Sequence, residues 1–184
     1  MKNLLILLFI LATNHSFAQS GVMPYVHGKI HFTDLITVDS SSKESLSKKA
    51  VIWFEKATND YNNNISNKAS FGLKDNIILK DIDNGEFVGT LNMLVPQAFN
   101  ESLVSFDVYI YTKDGKYRYD FTDFKYLGNS LTNKIAGKNM NSVTTLESID
   151  NKKYKRLMTL IYKSCKSAIE NLNEQMARPS IVAF

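Results

Sequence analysis

Length, charge and cysteine content limit the class of protein that this chain can form. Its 184 residues carry a formal net charge of +4, and the sequence pI is about 9.0. Cys165 is the only cysteine, so an internal disulfide is excluded and a single domain of this length must rest on its hydrophobic core.

The N-terminal residues 1–18 have the pattern of a cleaved signal peptide. Lys2 gives the positive start, and Leu4–Ala12 is an apolar run shorter than the about 20 residues that span a bilayer. Small residues predict cleavage between Ala18 and Gln19; a retained anchor is the alternative. No cysteine stands near the end of this run, which excludes lipid attachment there. We therefore expect an exported, soluble protein, either periplasmic or secreted.

The first predicted elements are a strand and an amphipathic helix. His27–Val38 is predicted to be a strand because its apolar side chains alternate with polar ones. A helix is predicted to begin at Ser41, which with Glu44 forms a capping box. Its apolar stripe ends near Ala57, before a polar loop, Asn59–Asn67. The stripe consists of Leu46, Ala50, Trp53, Phe54 and Ala57.

Two β-hairpins are predicted in the middle of the chain. Ile77–Ile82 and Phe87–Val95 are strands joined by an Asn-Gly turn, which is a strong hairpin signal. Val104–Phe124 contains two alternating segments around an Asp-Gly dipeptide at residues 114–115, which supplies the positive φ angles of a tight turn.

The second hairpin has one apolar and one polar-aromatic face, because successive side chains of a strand point to opposite sides. The apolar face carries Phe106, Val108, Ile110, Tyr119 and Phe121. The other carries Tyr109, Tyr111, Arg118 and Asp120, with Arg118 opposite Tyr111 and within reach of Asp120. One interpretation is a solvated sheet face with ordinary cross-strand pairs. The other is a surface that binds a partner.

The last part of the chain is predicted to be a long loop, residues 127–150, followed by a helix at residues 151–177 and a short tail at 180–184. An apolar stripe runs the length of the helix and includes Cys165, which we interpret as a buried thiol; a reactive thiol is the alternative. The opposite face carries Lys152, Lys153, Arg156 and Lys163. This face is either simply solvated or contacts an anionic envelope surface.

These elements predict the class α+β, in the order strand, helix, four strands, helix. The apolar stripes of the helices and the apolar face of an antiparallel sheet are buried if both helices pack on one face of the sheet. Residues 19–179 then form one domain, and the other sheet face remains exposed.

Four segments of the chain resemble a known family. They are Gly28–Thr33, the pair Trp53-Phe54, Gly85–Gly89 and Asp114–Phe121. The sequence is similar here to a family of exported bacterial domains of unknown function with a fold like that of the TATA-binding protein (TBP-like). The resemblance implies the fold but no activity, ligand or catalytic residue, and it does not imply DNA binding.

The sequence lacks the usual signatures of catalysis. Apart from the signal segment, the histidines are His27 and His31, which would lie about 13 Å apart on one strand, too far to share a metal ion. There is no nucleophile elbow and no Gly-rich phosphate loop. We therefore expect no enzyme activity, no metal and no cofactor. Export and the absence of a concentrated basic stripe with stacking aromatics disfavour nucleic acid as a partner.

Three functions remain open. The first is a non-enzymatic cell-envelope module that binds a partner protein or an anionic surface polymer through the sheet face of Tyr109, Tyr111, Arg118 and Asp120. The second is a small-molecule carrier or sensor with a pocket between the sheet and loop 127–150. The third is a hydrolase of unrecognised type, which would need carboxylates converging in a closed cleft.

Overall fold

A computed structural model describes residues 23–63, 70–72, 77–96, 101–129, 144–149 and 154–179 of the protein. The predicted signal peptide with its cleavage site at Ala18 and Gln19 lies outside these ranges, as do Lys152, Lys153, the tail 180–184 and most of loop 127–150.

The centre of the fold is an antiparallel sheet in which the strands pair in the order β3-β8-β7-β6-β4. Strand β5 also pairs with β6, and β9 pairs with β8, while β1 and β2 form a separate small hairpin. The strands are β1 Tyr25–Val26, β2 Lys29–Ile30, β3 Phe32–Thr37, β4 Ser70–Gly72, β5 Ile77–Asp81, β6 Glu86–Pro96, β7 Glu101–Lys113, β8 Lys116–Asn129 and β9 Thr144–Thr145.

Two helices, α1 (Lys43–Asn63) and α2 (Lys155–Ala177), pack on one face of this sheet, called the inner face below. The Trp53 ring of α1 lies 6.2 Å from that of Phe121 in β8, and the Tyr162 ring of α2 lies 5.9 Å from that of Phe32 in β3. The predicted fold class is therefore confirmed. A short 3-10 helix, Leu146–Ser148, follows β9 and buries Leu146 completely.

Aromatic rings fill the core between the inner face and the helices. Phe106 and Phe124 stack with ring centroids 4.9 Å apart, and Phe121 lies 5.6 Å from Phe106. Phe121 and Phe124 share the inner face although they are three residues apart, because a β-bulge shifts the register of β8 against β7 between them. Asp123 lies in this bulge with a φ of 53°.

Several sequence predictions of element bounds are wrong. The predicted loop 127–150 contains the end of β8, strand β9 and the 3-10 helix, and β4 and β9 add to the four strands predicted between the helices. His27–Val38 is not one strand, because His27 and Gly28 take positive φ angles of 50° and 79° and form the turn between β1 and β2. The first helix continues past Ala57 to Asn63, so the predicted loop Asn59–Asn67 begins too early. An apolar stripe marks only the buried turns of a helix, and a helix can extend beyond them.

The turn at residues 114–115 also completes the start of α1. Asp114 Oδ1 accepts a hydrogen bond of 2.6 Å from the backbone N–H of Lys43, which places a carboxylate at the positive end of the helix. The Ser42 hydroxyl accepts from the N–H of Ser45 at 3.2 Å. Glu44, predicted to cap the helix, instead pairs with Lys48 at 2.6 Å. Capping was therefore predicted at the right place but with partly wrong partners.

Over the described ranges between residues 23 and 179, no helix is both long and apolar enough to cross a membrane.

Candidate functional site

The candidate site is the outer face of the sheet, opposite the two helices. The strand register brings its residues into rows. Tyr111 in β7 lies opposite Arg118 in β8, and Tyr109 lies opposite Asp120, as the sequence predicted. Strand β3 extends the first row with Leu35, which pairs with Arg118.

Arg118 and the two tyrosines are in contact. The guanidinium carbon of Arg118 lies 4.6 Å from the centroid of the Tyr111 ring, within the range of a cation–π interaction. The rings of Tyr109 and Tyr111 are nearly parallel, with an angle of 7° between their planes and 6.5 Å between their centroids. The Arg118 side chain is 51% exposed, so the row is open to a ligand at this point.

Asp120 links two basic side chains on this face. Its Oδ2 lies 3.0 Å from Nε of Arg118, and its Oδ1 lies 3.1 Å from Nε2 of His31. The Asp120 side chain is only 14% exposed, which strengthens its interactions with both partners relative to a fully solvated pair. The pair of Asp120 and Arg118 was predicted. The contact with His31 was missed, and only the outward position of His31 on the predicted strand indicated that it could reach this face.

A second group of charges surrounds Tyr109. Lys29 Nζ lies 3.1 Å from Asp123 Oδ1, and the Thr90 hydroxyl donates a hydrogen bond of 2.6 Å to Asp107 Oδ1. Burial raises the pKa of Tyr109, and the negative charges of Asp107 and Asp123 raise it further. The β-bulge at Asp123 places its carboxylate in this group, which the sequence pattern did not reveal.

Three carboxylates of the outer face are each paired with a donor: Asp120 with Arg118 and His31, Asp123 with Lys29, and Asp107 with the hydroxyl of Thr90. Within the described ranges, no three His, Cys, Asp or Glu side chains are grouped closely enough to hold a metal ion.

The other predicted positions are only partly described. Arg156 and Lys163 of α2 are exposed and lie seven residues apart, about two helical turns, on one side of the helix. Lys152 and Lys153 lie outside the described residues, and so does most of the loop needed for the predicted carrier pocket. Cys165 is fully buried and burial raises the pKa of its thiol, so the interpretation as a buried side chain is confirmed.

The fold and the outer face define a class of protein: an α+β domain whose sheet carries two helices on one face and a polar-aromatic row on the other. The chain belongs to the family described as "Domain of unknown function (DUF4468) with TBP-like fold", which matches residues 32–127. The matched range runs from β3 into β8 and includes Leu35, Tyr109, Tyr111, Arg118 and Asp120, while His31, Lys29 and α2 lie outside it.

Two solved structures are similar to this chain. One is a DUF4468 family protein from Bacteroides ovatus ATCC 8483, with a TM-score of 0.61 and 11% identity over 88% of this chain and 94% of its own. The other is a TBP-like protein from Parabacteroides distasonis ATCC 8503, also with a TM-score of 0.61 and 11% identity, over 86% of this chain and 99% of its own. At this identity the likeness shows the fold alone. No curated protein matches.

Proposed function

We propose that this protein is a non-enzymatic interaction module of the bacterial cell envelope and that it binds a partner protein through the outer face. The observation that supports this proposal is the row formed by Leu35, Arg118 and Tyr111, which lies on the face opposite both helices.

The residue types of this row are those of protein interfaces. Tyr and Arg are enriched among the residues that dominate binding energy, because each offers a large contact area together with polar groups. Leu35 adds an apolar side chain that is 59% exposed. Contacts within the face already orient Arg118 and Tyr111, so these two side chains would lose less conformational entropy when a partner binds.

The charges of the outer face favour a protein over a uniformly charged polymer. Arg118 and Lys29 lie close to Asp120 and Asp123, so both signs alternate over short distances. A protein surface can match such a pattern, whereas a polyanion meets repulsion from the carboxylates.

A second candidate is contact of α2 with an anionic surface polymer of the envelope. The observation that favours it is the exposure of Arg156 and Lys163 on one side of the helix. Lysines and arginines are also the ordinary residues of a solvated helix face, which leaves this candidate behind the first.

Site-specific photo-cross-linking in the native host tests the first proposal. A photoreactive residue at Leu35 reports on the outer face, and one at Ile52 is the matched control, because Ile52 is an exposed apolar residue of α1 with 41% exposure. We expect a discrete protein adduct from Leu35 that disappears with Arg118→Ala and does not form from Ile52. The proposal is wrong if the adducts from the two positions are the same or if Leu35 forms none.

The envelope location is tested in the same cells. Export with cleavage after Ala18 predicts that the protein in the envelope fraction begins at Gln19, which N-terminal sequencing measures. A protein that retains residues 1–18 and is found in the cytoplasmic fraction would contradict this part of the proposal.

A further inference from the structure

The guanidinium of Arg118 is held from two sides. Its Nε lies 3.0 Å from Asp120 Oδ2, and its Cζ lies over the ring of Tyr111, 4.6 Å from the ring centroid. In the described part of the chain, its two terminal nitrogens have no hydrogen-bond or ion-pair partner. An arginine fixed at Nε and by stacking presents these nitrogens as a rigid fork, which matches the two oxygens of a carboxylate.

Two lysines lie next to this fork. Lys113 and Lys116 are directly opposite each other at the end of the β7–β8 hairpin, and both are exposed. Each follows the strand alternation on the same outer face, two residues or roughly 7 Å from Tyr111 and Arg118 respectively. Like charges directly opposite each other destabilise a sheet. Neither lysine has an anionic partner among the described residues, so a bound anion would relieve this repulsion.

We infer that this end of the outer face binds a carboxylate of an acidic segment in the partner protein. Arg118 holds the carboxylate through its two terminal nitrogens, and Lys113 and Lys116 attract it. This inference rests on the proposed function and adds the chemistry of the partner to it.

The neighbours of the fork indicate that the acidic segment also carries apolar side chains. Leu35 pairs with Arg118 and is 59% exposed, so an apolar side chain of the partner can pack beside the bound carboxylate. On the other flank, Glu86 lies opposite Tyr111, and Asp81 lies opposite Glu86. These carboxylates repel a long polyanion but leave room for a single acidic residue between them and Leu35.

An NMR titration tests this inference without the natural partner. The purified, isotope-labelled protein is titrated with a short peptide that alternates glutamate and leucine, and with a control peptide in which glutamine replaces glutamate. We expect saturable shifts at the amides of Tyr111, Lys116 and Arg118 and at Nε of Arg118 with the first peptide only. Arg118→Ala should weaken the binding about tenfold, the loss expected for a charge-assisted hydrogen-bonded partner.

Two further variants show whether binding depends on the planar guanidinium of Arg118 or only on a positive charge. Arg118→Lys keeps the charge and loses the planar fork, so its affinity should fall between those of the unchanged protein and Arg118→Ala. Arg178→Ala removes an exposed arginine at the C-terminal end of α2 and should leave the affinity unchanged. Equal binding of the glutamate and glutamine peptides, or equal effects of the two arginine-to-alanine changes, would overturn the inference.

The outcomes also distinguish this inference from the proposed function. If inorganic polyphosphate binds the same residues more tightly than the glutamate peptide does, the ligand is a polyanion and not an acidic protein segment, and the inference is overturned. A triple variant combines Lys113→Ala, Lys116→Ala and Arg118→Lys. If this variant still forms the Leu35 adduct in cells, the interaction module stands and the carboxylate site is wrong. If peptide binding follows the expected pattern but Leu35 forms no adduct, the proposed function fails and the carboxylate site stands.

Discussion

Replacing Gly85 by alanine should destabilise the protein far more than the same change at Gly115. Both glycines lie in hairpin turns with almost the same φ, +72° and +71°. A β-carbon at Gly115 would meet no atom within 4 Å. At Gly85 it would lie 2.5 Å from the hydroxyl oxygen of Thr112 and 2.6 Å from its backbone oxygen, so the chain must move.

The magnitude follows from what that movement breaks. The left-handed conformation costs alanine about 1–2 kcal/mol at either position. At Gly85 the displacement also disturbs the hydrogen bond of 2.8 Å from the Thr112 N–H to the Gly85 carbonyl, and the buried contact of 2.8 Å between the hydroxyls of Ser47 and Thr112. At about 0.5–1.5 kcal/mol for each bond, Gly85→Ala should cost roughly 1–3 kcal/mol more than Gly115→Ala.

Urea unfolding followed by Trp53 fluorescence measures this difference. Trp53 is the only tryptophan and is 3% exposed, so its emission should report loss of the core. Replacing glycine by alanine lowers the conformational entropy of the unfolded chain by the same amount in both variants. Gly115→Ala is therefore the matched control. Equal losses of unfolding free energy in the two variants would refute the close approach of Gly85 to Thr112.

Two further predictions concern ionisable groups of the core. Burial, and then the charge of Asp34, raise the pKa of Tyr119 to about 12. The neutral hydroxyl therefore stabilises the folded state below pH 10, and the free energy of unfolding should fall by roughly 2–3 kcal/mol as the pH rises from 10 towards 12. The urea midpoint should therefore fall less steeply between pH 10 and 12 in Tyr119→Phe than in the unchanged protein. An equal fall in both proteins would contradict the raised pKa of Tyr119. Cys165 should react with a thiol reagent only on unfolding, and rapid labelling of the native protein would disprove its burial.

Local patterns predicted the central hairpin correctly. The alternation of Val104–Phe124 around an Asp-Gly turn implied the pairs of Tyr111 with Arg118 and of Tyr109 with Asp120, and the structure has both. This prediction succeeds because a two-residue turn sets the register, and the register then sets the face of each side chain.

Predictions failed where the pattern was ambiguous or where distant residues decided the structure. His27 and Gly28 fit the alternation of a strand, yet both have positive φ angles and form a turn. Asp123 reaches the group around Tyr109 because a bulge in β8 changes the phase of the strand. The spacing of three residues between Phe121 and Phe124 breaks the alternation, but the sequence alone does not show where the side chain of the inserted residue lies.

The amino-acid sequence by itself determined the fold class, the central hairpin and the four residues of the candidate surface, because periodicity and turn chemistry act within a few residues. Only the tertiary structure decided which neighbours complete that surface. His31 reaches Asp120 across 89 positions of sequence, and Leu35 lies beside Arg118 because β3 pairs with β8. Such contacts depend on the order of strands in the sheet, which follows from the burial of the whole core and not from any local pattern.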